Sequence, residues 1–480
     1  MRLFTNLFLS ILLLSSFSAT ISAQDKSTAE AWTLQQCFDY AEKNNIQLKQ
    51  MALQVNSAEG NYEESKGAKL PDLSGFFSQS VNLGRTVVSA TNSLETTTTN
   101  NSNLGLSSNF TLYNGGNVKN TIEQRDLQID LAKLQVEEAN NNLQLQILSA
   151  YMQALLAEEQ LKVLQNQSTL TKEQRTRMNK LVEAGVRAPS DLLDLDAQIA
   201  RDDINLVNAE NNINAAYLTI AQILDYYKPI RIVQPNIEGE LSQNDVGAVN
   251  PEKVYDEALR TQPQFRVRDL QTQIAEKGHE IAKGWAMPTV TLFARYSTDY
   301  SSAIKNFVSS GEIEQVPTSL TTIGGEGVLL NSPITTQENI GYINQLTDNW
   351  RASVGVSVNV PIFNNYQIKN GINQARINIE NTVYAKDIVK NQLRRDIEQA
   401  YLDASAAAKR HTANQSNMEI LTKSLSQTER RFELGLVNAF DYLTAKNNLT
   451  SAELNLQSAL YEYVFRLKIL DYYQGKDLGL

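Results

Sequence analysis

The stretch Ser353-Val354-Gly355-Val356-Ser357-Val358-Asn359-Val360-Pro361-Ile362-Phe363-Asn364 decides how this chain is read. Val354, Val356, Val358 and Val360 fall on one face of a strand, and Ser353, Gly355, Ser357 and Asn359 on the other. An apolar face backed by a polar one over roughly ten residues is the period of a membrane barrel wall. It is equally the period of an ordinary half-buried sheet, so alternation alone leaves both readings open. The downstream residues separate them. From Asn364 to Leu434 the chain runs without proline and carries apolar residues at spacings of three and four, such as Met418, Leu421, Leu425 and Phe432. At the helical rise that segment is a rod of roughly 100 Å, far longer than a globular domain is wide.

The same strand-then-rod order occurs earlier. Leu104-Gly105-Leu106-Ser107 corresponds to Val354-Gly355-Val356-Ser357, and Leu112-Tyr113-Asn114 to Ile362-Phe363-Asn364. Asn114 to Ala184 is a second proline-free rod, with Leu145, Leu148, Met152 and Leu155 at helical spacing. Leu181-Val182-Glu183-Ala184-Gly185-Val186 corresponds to Arg431-Phe432-Glu433-Leu434-Gly435-Leu436. Before the strands a different offset holds. Thr33 falls on Asn250, both able to cap a helix, Phe38-Asp39-Tyr40-Ala41 on Tyr255-Asp256-Glu257-Ala258, and Lys69-Leu70-Pro71 on Ala286-Met287-Pro288. Fixed offsets of this kind mark an internal repeat. The jump between them is an insertion in a Ser-, Thr-, Asn- and Gly-rich segment at 300–348, read as a loop, with a shorter counterpart loop from Arg85 to Asn103.

The expected organisation is a first repeat at 24–226, a linker at 227–249, a second repeat at 250–472 and a C-terminal tail at 473–480. Each repeat reads helix, strand, loop, strand, long helix, tip, helix, and the flanking helices at 33–68 and 191–226 are each about half a rod. Val290, Leu292, Ala294 and Tyr296 form one of the strand faces. Four strands per chain cannot close a barrel, and an open sheet in lipid would leave edge N–H and C=O groups unpaired. Several chains must then share one barrel. Two give eight strands around a filled interior and three give twelve around an aqueous lumen, so a duct favours three.

Compartment and chemistry are bounded by composition. Arg2 followed by the apolar run Leu7 to Leu14 and the small residues through Ala23 reads as a secretory signal peptide at 1–23. No later stretch is long and apolar enough for a helical span, so membrane passage falls to strands. A net charge of −10 argues against nucleic acid as a partner. The one cysteine, Cys37, allows no disulfide framework and is expected in a core. His279 and His411 have no Cys or His at ligand spacing, and there is neither a phosphate loop nor a nucleophile elbow. The expectation is no enzyme, no metal and no cofactor.

The signal peptide, the duplicated strand pairs, the paired rods and the two tips, Glu183 to Asp191 and Glu433 to Asp441, each with Gly followed six residues later by Asp, resemble the TolC family of outer membrane factors over about 30–470. That resemblance implies a homotrimer, mixed α and β, in which a twelve-stranded β-barrel is continued by a long periplasmic α-helical barrel. It also implies an equatorial region holding the linker and the tail, and docking to a periplasmic adaptor joined to an inner-membrane pump. Acidic residues at the periplasmic end narrow the lumen in that family. Asp191, Asp194 and Asp441 are the matching carboxylates here, with Thr444 standing where a second acid of the second repeat is expected. Repeated around a pore they would make a ring favouring cations. Helix capping explains Asp191 and Asp441 as well. Arg187 is a candidate gate contact, bridging to an aspartate of a neighbouring helix, and Gly185, Val186, Gly435 and Leu436 are candidate adaptor-docking tips.

The function expected is a passive outer-membrane duct for small-molecule efflux. One-step (type I) protein secretion is the alternative within transport, and a non-conducting coiled-coil spacer of the envelope the alternative from another class. The spacer leaves the strand pairs without a purpose.

Overall fold

A computed structural model of the chain describes residues 30–88, 93–235, 237 and 246–480. The leader read at 1–23 and part of the linker lie outside them. The described chain is mostly helical and forms two compact units, one from residues through Lys49, Glu137–Gln262 and Gln392–Leu480, the other from Gln50–Val136 and Pro263–Asn391.

The helices that build both units recur at the two offsets. Helices α1 (Leu34–Asn44) and α2 (Ile46–Gly67) lie 217 residues before α5 (Pro251–Thr261) and α6 (Pro263–Gly284). The rods α3 (Asn117–Glu183) and α8 (Gln367–Glu433) are both 67 residues long and 250 apart, as are the 35-residue α4 (Pro189–Ile223) and α9 (Ala439–Tyr473).

The helix expected over 33–68 is broken in two. Asn45 adopts ψ 126° and its side chain accepts from the Leu48 N–H at 3.1 Å, so it ends α1 and caps α2. At the equivalent break Gln262 takes ψ 120° because Pro263 has no N–H to donate and excludes the helical conformation before it. Thr33 opens α1 with a reciprocal capping box to Gln36.

The first unit holds the larger core. Strands β1 (Glu30–Trp32) and β4 (Ile230–Ile232) pair in parallel. Their apolar side chains pack with Leu34, Cys37 and Phe38 of α1, Ile147, Leu148, Tyr151 and Leu155 of α3, and Val464 of α9. Tyr151, fully buried, donates to the Val233 carbonyl at 2.6 Å, and burial pushes its phenol well up. Cys37 is completely buried and its thiol is pushed up to about 12 by desolvation. Leu478 of the tail joins the same core as Ile230, Ile232 and Ile237 of the linker. Lys468 fixes the tail by donating to the Gly479 carbonyl at 2.6 Å. On α8, the buried alanines Ala400 and Ala404 let the helix approach Leu467 and Leu470 of α9 closely.

The second unit contains an antiparallel four-stranded sheet in the order β2 (Ser74–Val88), β3 (Ser93–Asn114), β5 (Thr289–Ser301), β8 (Arg351–Asn359). Both edge strands, β2 and β8, lack an outer partner among the described residues. Val354, Val356 and Val358 are exposed on one face. On the other, Phe76 and Phe293 lie against Gly105 and Gly355, where an added Cβ would meet the rings at 2.9 and 2.7 Å.

Two segments read as loops are strands. Thr96–Thr99 pair with Arg85, Gly84, Leu83 and Asn82, so the strands cover most of 85–103. Segment 300–348 is a separate hairpin, β6 (Lys305–Thr321) against β7 (Gly327–Asn339), followed by the short helix α7 (Tyr342–Asp348). In both, β-branched Thr, Val and Ile are interspersed among the turn-forming residues, and cross-strand pairs such as Val316 with Leu330 join them.

Candidate functional site

The four helices α3, α4, α8 and α9 end together at the two tips, around a small core of Met178, Leu195, Phe432, Ala439, Tyr442 and Leu443. At the first tip Gly185 has φ +72°, its N–H reaches the Val182 carbonyl at 2.9 Å, and the Val186 N–H reaches the Leu181 carbonyl at 2.9 Å. At the second, Gly435 has φ +78°, with Gly435 to Phe432 at 3.0 Å and Leu436 to Arg431 at 2.8 Å. Both rods thus stop in the same paired hydrogen-bond motif, which needs a residue free to adopt the left-handed conformation. With each reversal closed by backbone bonds, the next residues are free to present their side chains outward. Val186 and Leu436 are each 67 % exposed.

The helices leaving the tips begin differently. Asn438 caps α9 by accepting from the Asp441 N–H at 2.8 Å, whereas Ala188 opens α4 without a side-chain cap, followed by Pro189. Neither Asp191 nor Asp441 is therefore the cap. Each sits in the first turn, where a carboxylate gains from the helix dipole without replacing a hydrogen bond.

Arg187 links the tips. It donates to the Phe432 carbonyl, its guanidinium lies 4.8 Å from the centre of the Phe432 ring, and it stands 3.9 Å from Asp191. Its carboxylate neighbour is thus on the helix it precedes, not on a neighbouring helix as the sequence suggested. The Arg187 and Asp191 side chains are largely buried. Phe432 in turn stacks on Tyr442 at 5.0 Å. Asp194 and Asp441 are exposed and have no side-chain hydrogen bond or ion pair among the described residues.

Several residues that shape this end were not singled out from sequence. Leu193, Leu434 and Phe440 are exposed apolar side chains beside the tips. Apolar residues flanking a turn, where polar ones are usual, were the available signal. Arg177 pairs with Glu433 at 3.2 Å, and Arg175 with Asp196 at 2.9 Å. Above the tips, Lys446 donates to Thr171 Oγ1 at 3.2 Å, Thr171 to Asp202 at 2.6 Å, and Gln198 to Asp202 at 2.8 Å. No periodicity in the sequence points to these polar residues, because each occupies a position that its helix gives to the core. Among the described residues no group of three or more His, Cys, Asp or Glu is arranged to hold a metal ion.

The family model described as outer membrane efflux protein matches residues 38–225 and 254–471. The chain is 21 % identical over 424 residues to the outer membrane efflux protein BepC of Brucella suis biovar 1 (strain 1330), covering 88 % of this chain and 81 % of BepC. Among solved structures, CusC superposes with a TM-score of 0.74 at 16 % identity, covering 93 % of this chain and 92 % of CusC. VceC of Vibrio cholerae gives 0.70 at 13 %, covering 92 % and 96 %. Paired tips, split short helices, matched rods and a strand pair from each half accompany a family match over most of the length. The chain belongs to the outer membrane efflux protein family and is a component of an efflux system in the outer membrane of a Gram-negative bacterium.

Proposed function

We propose that three copies of the chain close one twelve-stranded barrel continued by an α-helical tunnel, and that this trimer is a passive duct for small molecules. An inner-membrane pump would deliver them through a periplasmic adaptor. The observation that carries the reading is the sheet β2-β3-β5-β8, whose two outer strands have no outer partner among the described residues. In hydrocarbon each unpaired backbone group costs several kcal/mol, on the order of a whole domain's stability for one bare edge. Copies joined β8 to β2 remove every edge. Twelve strands rather than eight leave room for water.

The exposed valines of β8 would then meet lipid and the Gly, Ser and Asn face the lumen. Gly185, Val186, Gly435 and Leu436 would be the adaptor-docking surface, since their apolar side chains and bare backbone are exposed. Asp194, with Asp191 and Asp441, would form the carboxylate ring at the constriction, and Arg187 would hold the two tips of each protomer together. The name of BepC as an efflux protein favours small molecules over secreted proteins as cargo. Residues 1–23 would be removed as a signal peptide, leaving repeats at 24–226 and 250–472 joined by the equatorial linker 227–249 and followed by the tail at 473–480.

Native mass measurement of detergent-solubilised protein tests the closure: a trimer is expected, and a strictly monomeric protein refutes it. Deleting the gene should sensitise cells to detergents, dyes or antibiotics. Unchanged tolerance with a missing secreted protein would instead identify a secretion duct.

A further inference from the structure

A cleft of about 610 Å³ opens in the first unit between α3, α8 and α9, away from the tip residues described above. Its lining is mixed: Leu170 from α3, Met418 and Leu425 from α8 and Leu449 from α9 make an apolar patch, beside polar side chains such as Asn166 and Gln457. Two nearly inaccessible donors line it. Lys446 is 3 % exposed and its ammonium, with three N–H groups, has Thr171 Oγ1 as its one hydrogen-bond partner among the described residues. It forms no ion pair within 4 Å among the described residues, and the carboxylates of Asp202, Glu429 and Glu173 act on it only from farther away. Gln167 is 6 % exposed. Its carbonyl oxygen accepts from Thr450 at 3.0 Å, but its Nε2 has no partner among the described residues.

A buried amide N–H₂ without an acceptor and a buried ammonium with spare donors are each costly. Both are relieved by the same thing, an acceptor carrying negative charge. The volume matches a small-molecule site, and the apolar patch of Leu170, Met418, Leu425 and Leu449 suits an acceptor attached to a hydrophobic body. Glu453 also lines the cleft, and desolvation raises its carboxyl above the ordinary carboxylate range.

We propose that this cleft binds monocarboxylates with an apolar body, the carboxylate received by Lys446 and Gln167 and the body lying on Leu170, Met418, Leu425 and Leu449. The site belongs to each chain's own helices, so it stands apart from the duct reading, and its test reads binding and not transport.

The experiment is isothermal titration of the full-length protein in nanodiscs of zwitterionic lipid, with empty nanodiscs subtracted. The probes are 4-phenylbutyrate, the neutral 4-phenylbutanol and the cationic 4-phenylbutylamine. Saturable binding of one phenylbutyrate per chain is expected, about tenfold or more tighter than either other probe. Lys446→Met should weaken phenylbutyrate by about tenfold or more, and Gln167→Leu by a few-fold. Leu449→Trp, which fills the cleft and keeps both donors, should abolish it and covers the case in which a Lys446 variant does not fold. Equal binding of all three probes means non-specific partition and overturns the proposal. So does the absence of binding, or wild-type affinity in the Leu449→Trp protein.

Discussion

Replacing Arg187 by Ala removes the side chain that ties the first tip to the second. Three contacts are lost. The charge-assisted hydrogen bond to the Phe432 carbonyl is worth about 1.5–3 kcal/mol, the stacking on the Phe432 ring about 1 kcal/mol, and the 3.9 Å approach to Asp191 under about 1 kcal/mol. The Phe432 carbonyl also accepts from the Gly435 N–H at 3.0 Å, so it is not left bare, and the total falls to about 2 kcal/mol. At 1.4 kcal/mol per factor of ten this is a roughly thirtyfold rise in the population with separated tips. Amide exchange of the peptides covering 181–191 and 431–441 reads that opening directly and should quicken together in both. Channel open probability in planar bilayers should rise in parallel. Arg187→Lys keeps the charge but not the planar fork and should recover only part of the effect. Exchange of either tip unchanged within about twofold would refute the coupling.

Three further outcomes are expected. Asp194→Asn should reduce cation preference in a salt gradient more than Asp191→Asn, because Asp191 already faces Arg187 whereas Asp194 has no partner among the described residues; equal reversal potentials for both variants would contradict the ring assignment. Burial pulls the Lys446 ammonium down to about 8 from its ordinary 10.5, against the carboxylates of Asp202, Glu429 and Glu173. The unfolded chain therefore binds the proton more tightly, so local stability of α9 in wild type relative to Lys446→Met should be flat below pH 8 and rise by on the order of 3 kcal/mol toward pH 10.5, measured by amide exchange corrected for intrinsic rates. Gly105→Val should block sheet formation, since a Cβ there runs into the Tyr296 carbonyl oxygen and meets Ser297 at 2.9 Å; heat-resistant, protease-resistant protein at wild-type yield in the outer membrane would disprove it.

The division between what was legible and what was not follows from the range of the forces involved. Proline-free apolar periodicity located the rods to within three residues at each end, because a helix is a local object whose partners are three and four positions away. The valine alternation of 354–360 and its echo at 104–112 located strands, and Gly185 and Gly435 located the rod ends, where a positive φ is demanded by the chain itself. Composition misled at 300–348 and 85–103, where turn-forming residues hid strands whose pairing partners lie across the sheet.

The sequence by itself thus determined where the rods and the main strands lie and that helices of equal length follow at fixed offsets. Only the tertiary structure decided that Arg187 grips the Phe432 carbonyl and ring, 245 positions away, and not an aspartate across a helix pair. It alone brought Lys446 beside Thr171 and left Gln167 Nε2 without an acceptor among the described residues. The reason is physical: backbone hydrogen bonding repeats with a period that sequence can display, whereas a side-chain contact between distant helices depends on their register, which no local pattern records.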